Sequence, residues 1–358
     1  YYAGWADKLD IAWGNEQYKP YGVVGQIIPW NFPLLMLSWK VAPALATGNT
    51  VVLKPAETTP LTALLFAELC EEVGLPDGVF NLVTGDGTTG AALVKHPDIS
   101  KIAFTGSTVV GRHLTTLASE NMTSVLMELG GHAPVIVCED TDVKAAAVQG
   151  AIRKMRNAGQ VCTSPTRFFV HETIFDEFTA AYVDRAAATV VGNGMSKSVE
   201  MGPLANERRI ADISALVENA VSCGADLATG GKRYGDKGYF FKPTVLVNVP
   251  AQAQIMQKEP FGPIAVINSV SSLEDAITKA NSVPYGLAGY AFTNRADYID
   301  RMIDEVEVGN LSINTLEASM PETPFGGVKS SGYGREGGSE GLDNYMIVKN
   351  VWHSAEID

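Results

Sequence analysis

Short β-branched runs alternate with amphipathic stretches along most of the chain, a pattern that predicts a parallel α/β sheet. Val23 to Ile28 and Thr50 to Leu53 have strand character, Thr59 to Val73 has helical apolar spacing closed by Gly74, and Gly78 to Val83 is the next strand. The series continues with a helix over Thr89 to Lys95, a strand over Lys101 to Phe104 and a helix over Val109 to Ser119. A second α/β stretch opens with Ser124 to Leu129 and Pro134 to Val137. It runs on through helix Val143 to Met155, strand Arg167 to Val170 and helices Phe175 to Ala188 and Glu207 to Ser222. Tyr239 to Val247 is expected to be extended, Gly326 to Gly341 is rich in glycine and serine loops, and Tyr345 to Trp352 is a β-rich tail. No internal repeat and no low-complexity linker interrupts the pattern. The longest apolar run, Pro29 to Leu37, is broken by Asn31 and stops at Lys40, well short of a membrane span.

Composition narrows the picture. The 358 residues suffice for about two or three domains with a buried core, and 46% hydrophobic with 19% charged residues is the profile of a globular chain. The formal net charge of −13, without clustered Lys or Arg, argues against nucleic acid as a partner. Cysteines stand at positions 70, 138, 162 and 223, and none forms a C-x-x-C pair. That spacing fits neither a disulfide scaffold nor a zinc site, so no metal is expected. Free thiols suggest a reducing compartment, hence a cytoplasmic location. The first residue is Tyr1 rather than Met, and a natural N-terminus is expected to be missing.

Several residues have chemical potential. Gly85 to Gly90 matches G-x-G-x-x-G between a strand and a helix, where backbone can approach a pyrophosphate. No carboxylate follows at the expected distance, so a plain glycine turn is at least as good a reading. Gly106 to Gly111 is a second such turn. Lys54 and Glu57 end the strand Val51 to Leu53, where a carboxylate suits the hydroxyls of a ribose; the bland alternative is an exposed ion pair. Cys162 lies in a loop of small and polar residues, which suits an accessible thiol, whereas Cys70 and Cys138 read as core. Glu128 sits at the end of an apolar strand, where burial would raise its pKa and make it a usable general base. Asn31, among bulky apolar neighbours, is an amide able to donate to an oxyanion, or simply a turn residue next to Pro33.

In combination these strings resemble the aldehyde dehydrogenase superfamily. The matches are Pro-Trp-Asn-Phe-Pro at 29–33, Leu-Lys-Pro-Ala-Glu at 53–57, Phe-Thr-Gly-Ser-Thr at 104–108 and Glu-Leu-Gly-Gly at 128–131. Gly-Gln-Val-Cys at 159–162, Glu-Pro-Phe-Gly-Pro at 259–263 and Pro-Phe-Gly-Gly at 324–327 complete the set, in the family's order. The resemblance implies an α/β fold with a Rossmann-like cofactor domain, a second α/β catalytic domain and a β oligomerisation extension. Its boundaries would be part of an oligomerisation hairpin at 1–20, the cofactor domain at 21–130, the catalytic domain at 131–335, and a C-terminal return with an oligomerisation strand at 336–358. It implies oxidation of an aldehyde to an acid with NAD, with Cys162 as nucleophile, Glu128 as general base and Asn31 as oxyanion donor. Lys54 and Glu57 would hold the adenosine ribose, Ser107 a phosphate and Glu259 the nicotinamide ribose, with Phe261 packing near that end. Trp30 and Gly106 would line the cofactor path, and Lys40 and Glu336 look like proton-relay positions. Glu57 favours NAD over NADP, since a 2′-phosphate would be repelled.

The same resemblance places Met36, Trp39, Val161, Thr163 and Phe325 along an aldehyde tunnel, and implies a homodimer or homotetramer. Against the family pattern the first part of the cofactor domain is missing, the segment Leu9 to Lys19 is short for the hairpin, and His132 stands where Lys or Asn is common. Two competing readings are a CoA-acylating semialdehyde dehydrogenase, which typically lacks the base that Glu128 supplies, and a truncated non-catalytic member of the fold.

Overall fold

The computed structural model describes residues 1–6, 8 and 18–350. The chain is α/β and divides into two compact units. One comprises the chain up to Leu129, Ser319–Gly326 and the chain from Gly332; the other comprises Gly130–Ala318 and Gly327–Ser331.

The first unit is built on a six-stranded sheet in the order Gly332–Tyr333, Ser124–Glu128, Lys101–Thr105, Val23–Ile27, Thr50–Lys54, Phe80–Leu82. The last five strands are parallel, and Gly332–Tyr333 joins the edge antiparallel. Strand alternation explains its two cores. Val24, Val51, Leu53 and Ala103 pack on one face with Leu37 and Val41 of helix Pro33–Ala46. Ile27, Ile102 and Phe104 pack on the other with Leu114 and Leu117 of helix Thr108–Ser119. Helices Leu61–Glu72 and Gly87–Lys95 complete the crossovers.

Two boundaries differ from the sequence expectation. Ser124–Glu128 does not open the second stretch but lies beside Lys101–Thr105 in the first sheet. Residues 319–326 and 332–335, expected within a domain spanning 131–335, belong to the first unit. Backbone pairing is the cause: Gly332 is registered with Glu128, and Phe325 and Glu336 exchange both backbone hydrogen bonds. Half of the expected hairpin at 1–20 lies outside the described residues, as does Leu9 to Lys19 apart from its last two residues. Its last segment, Tyr18–Pro20, pairs antiparallel with Met346–Val348 of the tail.

The second unit holds a seven-stranded sheet in the order Asn310–Ile313, Ala288–Phe292, Ala133–Val137, Pro165–His171, Ile264–Val270, Thr244–Val247, Asp226–Thr229. All are parallel except the last. Ala133–Val137 and Ala288–Phe292 are buried along their whole length, as expected where helices cover both faces. Helix Val143–Met155 presents Ala147, Gly150, Ala151 and Lys154 to the core and is capped by Asp142, whose carboxylate accepts the Ala145 N–H. Among the described residues no helix is long and apolar enough to cross a membrane.

Candidate active site

In the first unit the strand Ser124–Glu128 ends in a carboxylate that is 3% exposed, and neither of its oxygens has a hydrogen-bond partner. Burial, and then the neighbouring Glu336 carboxylate, push the Glu128 pKa well above the usual range, while Lys40 and Arg335 pull it back in part. Lys40 is fully buried on the core face of helix Pro33–Ala46, between Leu37 and Val41, and its ammonium donates to Glu336 Oε1 in a buried ion pair. The backbone bonds between Phe325 and Glu336 fix the acid of that pair. Glu128, Lys40 and Glu336 thus form one electrostatically linked group. An unpaired buried carboxylate is costly to fold around, which makes it a mark of function rather than of stability.

Trp30 and Asn31 are half-buried in the bend before the same helix, which Phe32 caps and Pro33 opens. Trp39 of that helix meets Phe325 edge-to-face, ring centroids 5.3 Å apart, and Met36 packs against the core on the Leu37 side. Three of the five expected tunnel residues therefore lie in the first unit.

The expected cofactor residues are arranged as follows. Lys54 is buried at the end of its strand and donates to the Pro55 and Gly85 carbonyls, 2.8 and 2.9 Å away. An ammonium has three donors, so one is left over. Burial lowers the Lys54 pKa, while Glu57 and Asp86 raise it. Glu57 is exposed. At the first glycine turn Asp86 itself caps helix Gly87–Lys95 and accepts from Thr88 N–H and hydroxyl, so that helix start already carries an anion. The second turn differs: Ser107, a neutral residue, caps helix Thr108–Ser119. Its first turn exposes Val109 and Val110, and a side chain on Gly106 would strike the Phe104 ring at 2.4 Å. A neutral, apolar-edged helix start near a strand that ends in Lys and Glu fits an adenine dinucleotide.

In the second unit Cys162 is a free, half-buried thiol. It follows the tight turn Arg156–Gly159, in which Asn157, Ala158 and Gly159 all have positive φ, 51°, 53° and 69°. Two non-glycine residues in the left-handed region cost about 1–3 kcal/mol each, a strain typical of functional loops. Neighbours over-determine this loop. A Cβ on Gly159 would lie 2.0 Å from the Gly262 carbonyl oxygen, and one on Gly131 would lie 2.5 Å from that of Cys162. Gln160 bonds Asn157 O and accepts from Ala205 N–H, and the buried Tyr290 hydroxyl donates to Thr163 O at 2.7 Å. Val161 is half-buried and Thr163 buried beside the thiol. Glu259 accepts from Gly131 N–H at 3.1 Å; burial raises its pKa to about 7 against the pull of that N–H, Arg209 and Lys154. Phe261 has φ 44°, and Arg209 donates to its carbonyl. The structure therefore gathers Cys162, Glu259 and Phe261 around Gly131 and Gly262 in this unit, while Asn31, Glu128 and the Lys54 group belong to the other.

Sequence reasoning named neither Tyr290 nor Lys154. Lys154 is fully buried and donates to Ser164 Oγ and Thr166 Oγ1, both at 3.1 Å. Its signal was available: it continues the apolar stripe of Ala147 and Ala151 at helical spacing. Tyr290 had none, since its strand is uniformly apolar. His132 is buried, and its Nε2 contacts Ile255 O at 2.8 Å, which makes it a structural residue. Among the described residues no cluster of His, Cys, Asp and Glu is placed to hold a metal.

Two mostly parallel sheets, a neutral helix start suited to a dinucleotide and a strained thiol loop are features that fit an α/β oxidoreductase. A family model described as "Aldehyde dehydrogenase family" matches residues 1–351. Similar proteins include aldehyde dehydrogenase family 2 member B4 of Arabidopsis thaliana, 45% identical over 98% of this chain and 67% of that protein. Benzaldehyde dehydrogenase of Antirrhinum majus is also 45% identical, over 98% and 68%. A solved aldehyde dehydrogenase from Bacillus cereus superposes with a TM-score of 0.95 at 42% identity, over 99% of this chain and 74% of that one. Betaine aldehyde dehydrogenase of Staphylococcus aureus, solved with NAD+, gives 0.93 at 38%, over 98% and 72%. The chain belongs to the aldehyde dehydrogenase family, whose reaction is the oxidation of aldehydes.

Proposed function

We propose that this chain oxidises an aldehyde to the carboxylic acid with NAD, using Cys162 as nucleophile and Glu128 as general base. The observation that carries the hydrolytic reading is the Glu128 carboxylate, buried with both oxygens unpaired. Such a group accepts a proton at a pH where an ordinary carboxylate would not. In the proposed sequence the Cys162 thiolate adds to the aldehyde carbon, and the Asn31 amide and the Cys162 backbone N–H donate to the oxyanion of the thiohemiacetal. When bound, NAD supplies the ring that accepts hydride and leaves a thioester. Glu128 then takes a proton from water as that water attacks the thioester carbonyl, and the thiolate leaves. The proton goes on from Glu128 toward Glu336 and Lys40. Glu57 and Lys54 would hold the adenosine ribose, Ser107 a phosphate, and Glu259 the second ribose beside Phe261. Glu57 favours NAD over NADP through repulsion of a 2′-phosphate. By the family resemblance Met36, Trp39, Val161, Thr163 and Phe325 would lie along the aldehyde's path, and the apolar character of all but Thr163 suits aliphatic or aromatic aldehydes. A homodimer or homotetramer and a reducing, cytoplasmic setting fit the tail strand and the free thiols.

The test is Cys162→Ser, assayed by NADH formation with a panel of aldehydes. A loss of at least about a thousandfold is expected; a variant as fast as the parent removes Cys162 from the mechanism. Turnover that requires coenzyme A would instead favour an acylating enzyme.

A further inference from the structure

Lys154 is the one fully buried ammonium in the second unit's described core, and it donates to two neutral hydroxyls, Ser164 Oγ and Thr166 Oγ1. A buried cation is tolerated when it is paired with a carboxylate, but among the described residues no carboxylate lies within ion-pair distance of Lys154. Ser164 belongs to the turn that carries the thiol, for its N–H bonds Val161 O at 3.0 Å, with Cys162 inside that turn. The ammonium thus touches the turn that carries the thiol, at a residue two positions from Cys162.

We infer that Lys154 is a positioning residue whose charge holds the Cys162 thiol in its thiolate form. The inference rests on Cys162 being the nucleophile. A cation near a thiol stabilises the ion and lowers the thiol pKa. The relation is mutual: the proton that leaves the sulfur goes to solvent, and the thiolate in turn favours the ammonium. Other groups facing this cluster are accounted for. His132, beyond Gly131, is held neutral by burial and by the Arg167 and Lys154 charges. Arg167, on the neighbouring strand, directs its guanidinium to the carbonyls of His132, Lys279 and Ala280. The Tyr290 phenol is kept protonated by burial. Glu259, from the loop after helix Gln254–Gln257, is the one carboxylate acting on Lys154 and supports its charge. Burial drives the Lys154 pKa down to about 7, against the support of Glu259, so the ammonium gives up its proton across the neutral range.

The test is the rate at which iodoacetamide alkylates Cys162 as a function of pH, read by mass spectrometry of the peptide that contains it. Parent protein is compared with Lys154→Met, Lys154→Gln and Lys154→Arg. Lys154→Met and Lys154→Gln are each expected to raise the midpoint by about one unit, which slows alkylation near pH 7 by about tenfold. Lys154→Arg keeps a positive charge at the same place, so its midpoint is expected to stay near the parent's; a midpoint as high as that of Lys154→Met would show a structural role instead. Should Lys154→Met not fold, Lys154→Gln decides. A midpoint in folded Lys154→Met or Lys154→Gln equal to or below the parent's overturns the inference. If alkylated parent still oxidises aldehydes, it is the nucleophile assignment that falls instead.

Discussion

Two lysines occupy the same kind of position in the two units and meet opposite fates. Lys40 follows Leu37 on the buried stripe of helix Pro33–Ala46, and Lys154 follows Ala147 and Ala151 on that of helix Val143–Met155. Both are fully buried. Lys40 faces the Glu336 carboxylate, and the two charges cancel locally. Lys154 faces hydroxyls, and its field is left to act on its surroundings. Beside Lys40 the carboxylate left without a donor is Glu128; around Lys154 the charge is offset only by the more distant Glu259 and favours an anion nearby. The two surroundings match the opposite tasks proposed for them, accepting a proton at Glu128 and stabilising a thiolate beside Lys154.

Removing the base should have the largest effect. Glu128→Gln is expected to lower steady-state turnover by about a hundredfold to ten-thousandfold. A first turnover of NADH should persist in rapid-mixing experiments, because thioester formation does not need the base. Loss of the first turnover as well would place Glu128 elsewhere in the reaction. Next, Lys40→Met strands Glu336 without its cation, and urea unfolding should show a loss of about 3–5 kcal/mol. The corresponding change in the other unit should go the opposite way. The unfolded lysine keeps its proton to an ordinary pKa, while the folded one gives it up at about 7. The cost of burying Lys154 is therefore fully present below pH 7 and fades as pH rises toward the unfolded value. Lys154→Met should stabilise the protein by about 1–4 kcal/mol near pH 6, and by less near pH 9. Equal shifts at both pH values would show that the ammonium is not penalised by burial. The smallest effect concerns the neutral cap: Ser107→Ala should cost about 1 kcal/mol in thermal or urea unfolding, whether or not its hydroxyl also serves a phosphate.

Most of the first sheet was legible in the chain because its strands are short β-branched runs closed by glycine turns, and its boundaries match to within a few residues. Helix Val143–Met155 and helix Glu207–Ser222 were legible as helical stretches, and the structure shows them capped by Asp142 and Asn206. Helix Pro33–Ala46 was not, since two prolines and apolar residues on every side hide its period; Pro33 proves to be its opening residue and Pro43 an interior one. Strand Ile264–Val270 was equally hidden, because a strand covered on both faces has no alternation to read. At the site, ordered motifs pointed to Cys162, Glu128 and Asn31. The sequence could not reveal that Glu128 lacks donors, or that Asp86 fills its own helix start while Ser107 leaves the other neutral. Those depend on which backbone groups the fold brings near.

Where Gly159 meets Gly262, backbone touches backbone with no room for a side-chain carbon between them. No rotamer can cushion that seam. Any residue but glycine at 159 would have to push the Gly262 backbone away from the strained turn that precedes Cys162.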